Sequence, residues 1–206
     1  MNLGGRGSKA RTFSDDVLLI EVSGPENMPL SIVDVPGIFR NAIKGSTTVQ
    51  DIDLVRDMVL GYMSKSRSIM LVVAASNVDI SNQEILRMAE AVDPTGIRTI
   101  GVLTKPDLVP EDDEEPFLDM LNGKTVTLEL GWHVVRNPGQ ADLSKKSYDR
   151  FEAENKFFLK SKAWSQVDED KRGIQALRTR IQDVLGAHYT REIPKVSDHK
   201  LWSDFH

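Results

Sequence analysis

At 206 residues, with 40% hydrophobic and 28% charged side chains, the chain is long enough to bury one good core with an appended helical piece, and its balance is not that of a disordered segment. A formal net charge of −5 gives no general attraction to nucleic acid or to an anionic membrane, so no nucleic-acid partner is expected and any such contact would have to be local. With no cysteine, disulfides and thiolate metal sites are excluded, and because neither a transmembrane run nor the apolar middle of a signal peptide is seen, the expected location is the cytoplasm.

Residues 1–12 are glycine-rich and basic, which predicts a flexible leader. Gly7-Ser8-Lys9-Ala10 invites comparison with a phosphate-binding loop, but the segment has no Gly-Lys-Ser/Thr and no strand before it. Val17 to Ser23 (VLLIEVS) predicts a first strand, Gly24-Pro25-Glu26-Asn27 a turn, and Leu30 to Asp34 an antiparallel partner. That second strand belongs to LSIVDVPG: an apolar run delivers Asp34 to a strand's carboxyl end. Pro36 and Gly37 then form a turn in which a backbone N–H can approach a ligand closely. A polar connection, Arg40 to Val49, contains Gly45 and Ser46-Thr47-Thr48. A helix follows over about 50–65, with Ile52, Val55, Val59 and Tyr62 stepping along one face.

Ile69 to Ala75 (IMLVVAA) is the most continuously apolar run and predicts a central strand. Ser81 is placed to cap a helix over about 82–92, which Asp93-Pro94-Thr95-Gly96 ends. Arg98 to Leu103 predicts a strand that delivers Thr104-Lys105-Pro106-Asp107. The acidic run Glu111 to Glu115 lacks the alternate spacing of a calcium loop and predicts the solvated first turn of a short helix ending near Leu121. Trp132 to Val135 predicts another strand, leading into Arg136-Asn137-Pro138-Gly139-Gln140. A helix over Asp149 to Lys162 carries a solvated basic side, and Trp164 packs after it. The last helix, about 172–191, carries the stripe Ile174, Leu177, Ile181, Val184 and Leu185 and is expected to end at Pro194; the tail from Val196 shows no pattern.

Strands alternating with helices predict an α/β fold with a mostly parallel sheet. The polar loops after Asp34, Leu103 and Val135 would then share one edge and converge on one ligand. A guanine nucleotide matches their chemistry. Gly37 N–H suits a γ-phosphate, Asp34 suits Mg²⁺ through water, and Asp107 can accept the paired donors of the guanine edge, which adenine lacks. The aliphatic stem of Lys105 can lie over the base plane, and Arg136-Asn137 can cover its other face.

DVPG and TKPD in this order, about 70 residues apart (34 to 104), resemble the third and fourth motifs of a GTPase, and the polar loop after Val135 resembles the fifth. LSIVDVPGIFR, NVDISNQEILRMAEAVDPTGIRTIGVLTKPDLV, GWHVVRNPGQ and GIQALRTRIQDVLGAHYTREIPKV resemble the dynamin superfamily over roughly residues 13–196, nearest to a fungal branch akin to the myxovirus-resistance proteins. The resemblance implies a partial dynamin-type G domain (P-loop-NTPase-like) over 13–170, a C-terminal helix over 171–196 leading toward a helical stalk, and an unstructured tail over 197–206. It implies GTP as ligand and substrate with Mg²⁺ as cofactor. The GTP-binding residues are then Asp34, Val35, Pro36, Gly37, Thr104, Lys105, Pro106, Asp107, Arg136 and Asn137, with Asp34 on the metal. Implied partners are copies of itself or dynamin-like relatives and, peripherally, membranes (mitochondrion, vesicles) or microtubules, with membrane remodelling or organelle division as the process.

The family's glycine-rich phosphate loop and switch threonine, both expected before the strand at 17, have no counterpart here, and RNPGQ departs by one residue from commoner forms of the fifth motif. The expectation is therefore a fragment of a dynamin-like GTPase that turns over GTP poorly alone and lacks a central strand between 30–34 and 69–75. Two alternatives stand beside it: a nucleotide-independent fragment that binds full-length relatives, and an unrelated ATP-using α/β enzyme, which Asp107 disfavours.

Overall fold

The computed structural model describes residues 12–25, 31–39, 41–42, 46–80, 83–144 and 147–203, with 192–203 described by backbone alone. The predicted leader with its Gly7-Ser8-Lys9-Ala10 run, the turn residues Glu26 and Asn27, and Leu30, Arg40, Gly45 and Ser81 lie outside the described residues, apart from the leader's last residue, Thr12. The chain divides into two compact units, Met1–Ser66 and Arg67–His206.

In the first unit, the described parts of the two predicted strands, 17–23 and 31–34, are not strands. Val17, Leu18, Leu19, Ile20, Val22 and Ile32 are each more than 70% exposed. Apolar content marks a segment that would gain from burial, but a strand also needs a regular ladder of backbone hydrogen bonds, and among the described residues none is formed here. The helix of this unit, α1 (Val49–Met63), matches the periodicity and buries Val55, Val59 and Met63. Its start is set by a capping box. Thr48 Oγ1 accepts from Asp51 N–H at 3.2 Å, and Asp51 Oδ2 accepts from Thr48 N–H at 2.8 Å, so the polar connection ends as a built cap.

The second unit holds a parallel sheet of three strands in the order β1 (Met70–Ala75), β2 (Thr99–Thr104), β3 (Trp132–Val135). Between β1 and β2 runs α2 (Glu84–Val92). Between β2 and β3 runs α3 (Glu115–Leu121), which takes only the last of the five acidic residues into the helix. After β3 come α4 (Gln140–Leu143), α5 (Arg150–Lys160, capped by Asp149) and α6 (Ile174–Ser203). The fold class is thus α/β, with a parallel sheet flanked by helices and a C-terminal helix. That last helix runs through Pro194 into the segment expected to be a tail. A proline inside a helix removes one hydrogen bond at a cost of about 3 kcal/mol, which weakens a helix without having to end it.

β2 is buried along both faces, as expected of the middle strand of a covered parallel sheet. On one face Ala74, Leu103, Trp132 and Val134 pack with Phe117, Met120 and Leu121 of α3, Phe158 of α5, and Trp164. On the other, Ile100, Val102 and Val135 pack with Leu177 and Val184 of α6, joined by Ile174 and Ile181, four of the five positions in the stripe the periodicity predicts. β1 is half covered: Met70, Val72 and Ala74 are buried while Leu71 and Val73 are 46% and 51% exposed. At its carboxyl end, the Gln83 amide accepts from Ala75 N–H at 3.2 Å and donates to Ala75 C=O at 3.0 Å, so a side chain closes that end of the strand.

Gly101 is fixed by its neighbour. A Cβ there would stand 2.2–2.6 Å from the Trp132 ring, whose Nε1–H donates to Val126 C=O at 2.9 Å. Replacing Gly101 by Ala should destabilise the unit by about 1–3 kcal/mol, because a buried ring held at both ends has no room to yield. An unchanged urea midpoint for Gly101→Ala would contradict this packing.

His133 on β3 is 4% exposed, and its Nδ1 has no hydrogen-bond partner among the described residues. Burial, aided by the nearby Arg180 charge, pulls its pKa below the ordinary 6.5. Unfolding then takes up a proton that the folded imidazole resists, so stability should fall as pH drops below about 6.5. The urea midpoint of the native chain should drop more between pH 7.5 and 5.5 than that of His133→Leu; parallel behaviour would show that His133 does not carry this linkage.

Candidate functional site

Parallel pairing brings two of the three predicted loops together. Leu103 is opposite Val134 and Thr104 opposite Val135, so the chain leaves β2 and β3 at the same edge. Thr104 is tied back to β1, its hydroxyl donating to Ala74 C=O at 3.3 Å and its carbonyl accepting from Ser76 N–H at 2.8 Å. Lys105 then takes a left-handed backbone (φ 57°, ψ 42°), which costs a residue with a Cβ roughly 1–2 kcal/mol. That reversal turns the chain into a short 3-10 turn, Pro106–Leu108, in which Pro106 is buried and Asp107 faces outward with its side chain 27% exposed.

Arg136 leaves the end of β3 with its side chain 16% exposed. Its Nε lies 3.4 Å from Asp107 Oδ2, its Nη2 donates to Asp142 Oδ2 at 2.6 Å, and its Nη1 donates to the Tyr148 hydroxyl at 3.0 Å. Burial alone would lower the Arg136 pKa; the Asp142 hydrogen bond and the charges of Asp107 and Asp142 more than offset it, and the guanidinium is held above its ordinary value. Asn137 is exposed, and its Oδ1 accepts from Arg150 Nη2 at 2.9 Å. The pair Asp107–Arg136 opens onto a groove of about 1020 Å³ lined also by Tyr148, Phe157, Lys160 and Trp164.

Asp34, Val35, Pro36 and Gly37 lie in the first unit, in a segment without regular secondary structure. Asp34 is exposed, and a Cβ on Gly37 would meet nothing within 4 Å. Among the described residues no group of three or more His, Asp or Glu side chains is placed to hold a metal. The described residues thus form no protein-held Mg²⁺ centre; a single carboxylate such as Asp34 suits a cation that arrives already bound to phosphates. The run Gly123-Lys124-Thr125 follows the end of α3 rather than opening a helix, and Lys124 is tied to Asp119 at 2.8 Å, so it is no phosphate loop.

Sequence reasoning missed Asp142, Tyr148, Arg150 and Glu154. Glu154 had a signal, since it lies four residues before the core Phe158 on the same face of α5.

The family model of the Dynamin family matches residues 5–106, and that of the Dynamin central region matches residues 117–199. The chain belongs to the dynamin superfamily. It is 38% identical over 149 residues to an interferon-induced GTP-binding protein Mx of Perca fluviatilis, a match covering 71% of this chain and 49% of that protein. It is 36% identical over 189 residues to the interferon-induced GTP-binding protein Mx1 of Mus musculus, and 34% identical over 188 residues to the Mx protein of Gallus gallus. Those matches cover 90% of this chain in both cases, and 30% and 26% of the relatives. The chain spans half or less of the length of these relatives.

The two carboxylates around Arg136 should differ in weight. In double-mutant cycles the Arg136–Asp142 coupling should exceed about 1 kcal/mol, as a short charge-assisted bond does, and Arg136–Asp107, longer and wetter, should fall below it. A larger coupling for Asp107 would reverse this assignment.

Proposed function

We propose that this chain binds a guanine nucleotide at the edge where β2 and β3 end, with Asp107 as the acceptor of the paired guanine donors. The observation that carries the reading is the placement of Asp107: a partly exposed carboxylate on a turn set by the left-handed Lys105, steadied by Arg136. A carboxylate offers about four acceptor sites, and the Arg136 contact uses one, which leaves room for two guanine donors. Thr104, Lys105, Pro106, Arg136 and Asn137 build the surroundings of the base. By family resemblance, Asp34, Val35, Pro36 and Gly37 of the first unit belong to the motif that meets phosphates and Mg²⁺. The family supports this reading, as do the printed names of the Mx relatives, which are GTP-binding proteins.

The proposed reaction class is GTP hydrolysis of the dynamin type, with this chain alone turning over slowly because its sequence contains no G-x-x-x-x-G-K-[ST] loop to cradle the β- and γ-phosphates. Self-association with dynamin-like relatives belongs to the same proposal. Peripheral membrane contact, which the family resemblance implies, belongs to the same proposal; among the described residues no helix is long and apolar enough to cross a bilayer.

Titration of the chain with a fluorescent GDP analogue tests the reading. The expected result is saturable weak binding, displaced by GDP but not ADP and lowered at least tenfold by Asp107→Asn, which puts donors opposite the guanine donors. No signal at saturating protein would overturn it and favour a nucleotide-independent interaction with full-length relatives.

A further inference from the structure

Glu154, in the middle of α5, is 2% exposed, yet its carboxylate accepts hydrogen bonds from two backbone amides far apart in the chain. Oε1 accepts from Arg136 N–H at 2.8 Å, where the chain leaves β3 for the base loop. Oε2 accepts from Ile174 N–H at 2.9 Å, the first residue of α6. A buried carboxylate costs several kcal/mol unless it is compensated, and backbone donors with a helix N-terminus are among the few neutral groups that can do so. The residue before α6 cannot cap it: Gly173 has no side chain and sits at φ +84°. A Cβ there would stand 3.4 Å from Oε2, so the glycine also leaves the carboxylate its space.

The same two segments are laced a second time. Arg172 forms an isolated parallel bridge with Val134, and Gly173 N–H donates to Val134 C=O at 2.8 Å. The last residues of β3 and the first of α6 therefore share one set of bonds, and Glu154 is the member that reaches both at once.

We propose that Glu154 is a positioning residue of the base loop, one carboxylate that fixes the Arg136 backbone and caps α6 together, so that a nucleotide engaging Asp107 is felt in the first turn of α6. The link to nucleotide rests on the guanine reading above. The double hydrogen bond does not. Since Arg136 also holds Asp107, the chain of contacts runs from base acceptor to guanidinium, to backbone amide, to carboxylate, to helix end.

Amide hydrogen exchange of the full chain, read residue by residue by NMR, tests this with and without GDP. Without nucleotide, Glu154→Gln should speed exchange by about tenfold or more at one of Arg136 and Ile174, the one that meets the new NH2 group, while amides of Ile100 to Leu103 stay unchanged. The amide side chain offers one acceptor and turns a donor toward the other N–H. Acceleration at neither site would overturn the proposal. So would acceleration of the whole sheet in step, which marks a general folding role. Should Glu154→Gln not fold, Glu154→Asp, which keeps the charge but is one methylene shorter, takes its place with the same criteria.

With GDP, both amides should slow in the native chain, and the Ile174 response should vanish in Glu154→Gln. Slowing at Arg136 without Ile174 in the native chain overturns the coupling. No response of either amide overturns both the guanine reading and the nucleotide arm of this proposal, while the nucleotide-free result still decides whether Glu154 positions the two segments.

Discussion

The second unit depends on the parallel pairing of β2 with β3. Parallel neighbours leave the sheet at the same edge, so the register that sets Thr104 beside Val135 also sets Lys105–Asp107 beside Arg136. Burial of both strands on both faces keeps that register from slipping, because a one-residue shift would exchange Trp132 and Val134 for His133 and Val135 beneath the helices. Gly101 lets the Trp132 ring lie against β2, and the ring in turn belongs to the cluster that seats α3 and α5. A chemistry carried by two loops 30 residues apart in sequence thus rests on core residues that never meet a ligand.

At that edge, electrostatics set the geometry more than they supply stability. Arg136 stands between Asp142, at short range and little exposed, and Asp107, farther and wetter. The planar guanidinium can satisfy both along with the Tyr148 hydroxyl, which a lysine could not do with one point charge. Its anchorage lets it orient Asp107 through the Nε contact. The left-handed Lys105 is the local strain that makes this orientation possible, and such strain persists where the surrounding structure holds it.

Much of this was legible in the sequence where burial and period agree. The apolar runs at β1 to β3 and the stripe of α6 declared themselves because a two-sided core selects for them. VLLIEVS carries the same signal and is not a strand, since composition states what a segment gains from burial and not whether a regular ladder forms. Pro194 predicts a stop, yet α6 runs past it at the loss of a hydrogen bond. Asp107 and Arg136 stood out because unusual polar residues follow strand ends. Asp142 and Glu154 did not: their partners lie in other elements, and only the folded chain brings a carboxylate on α5 against amides at 136 and 174.

The central claim, that the ends of β2 and β3 form a base site selective for guanine, is tested most directly by mapping backbone amide shifts of the full chain during parallel titrations with GMP and AMP. The account predicts saturable shifts centred on Thr104 to Leu108 and on Arg136 and Asn137 with GMP, and none there with AMP. Equal shifts with both nucleotides, or shifts confined to other parts of the chain, would contradict it.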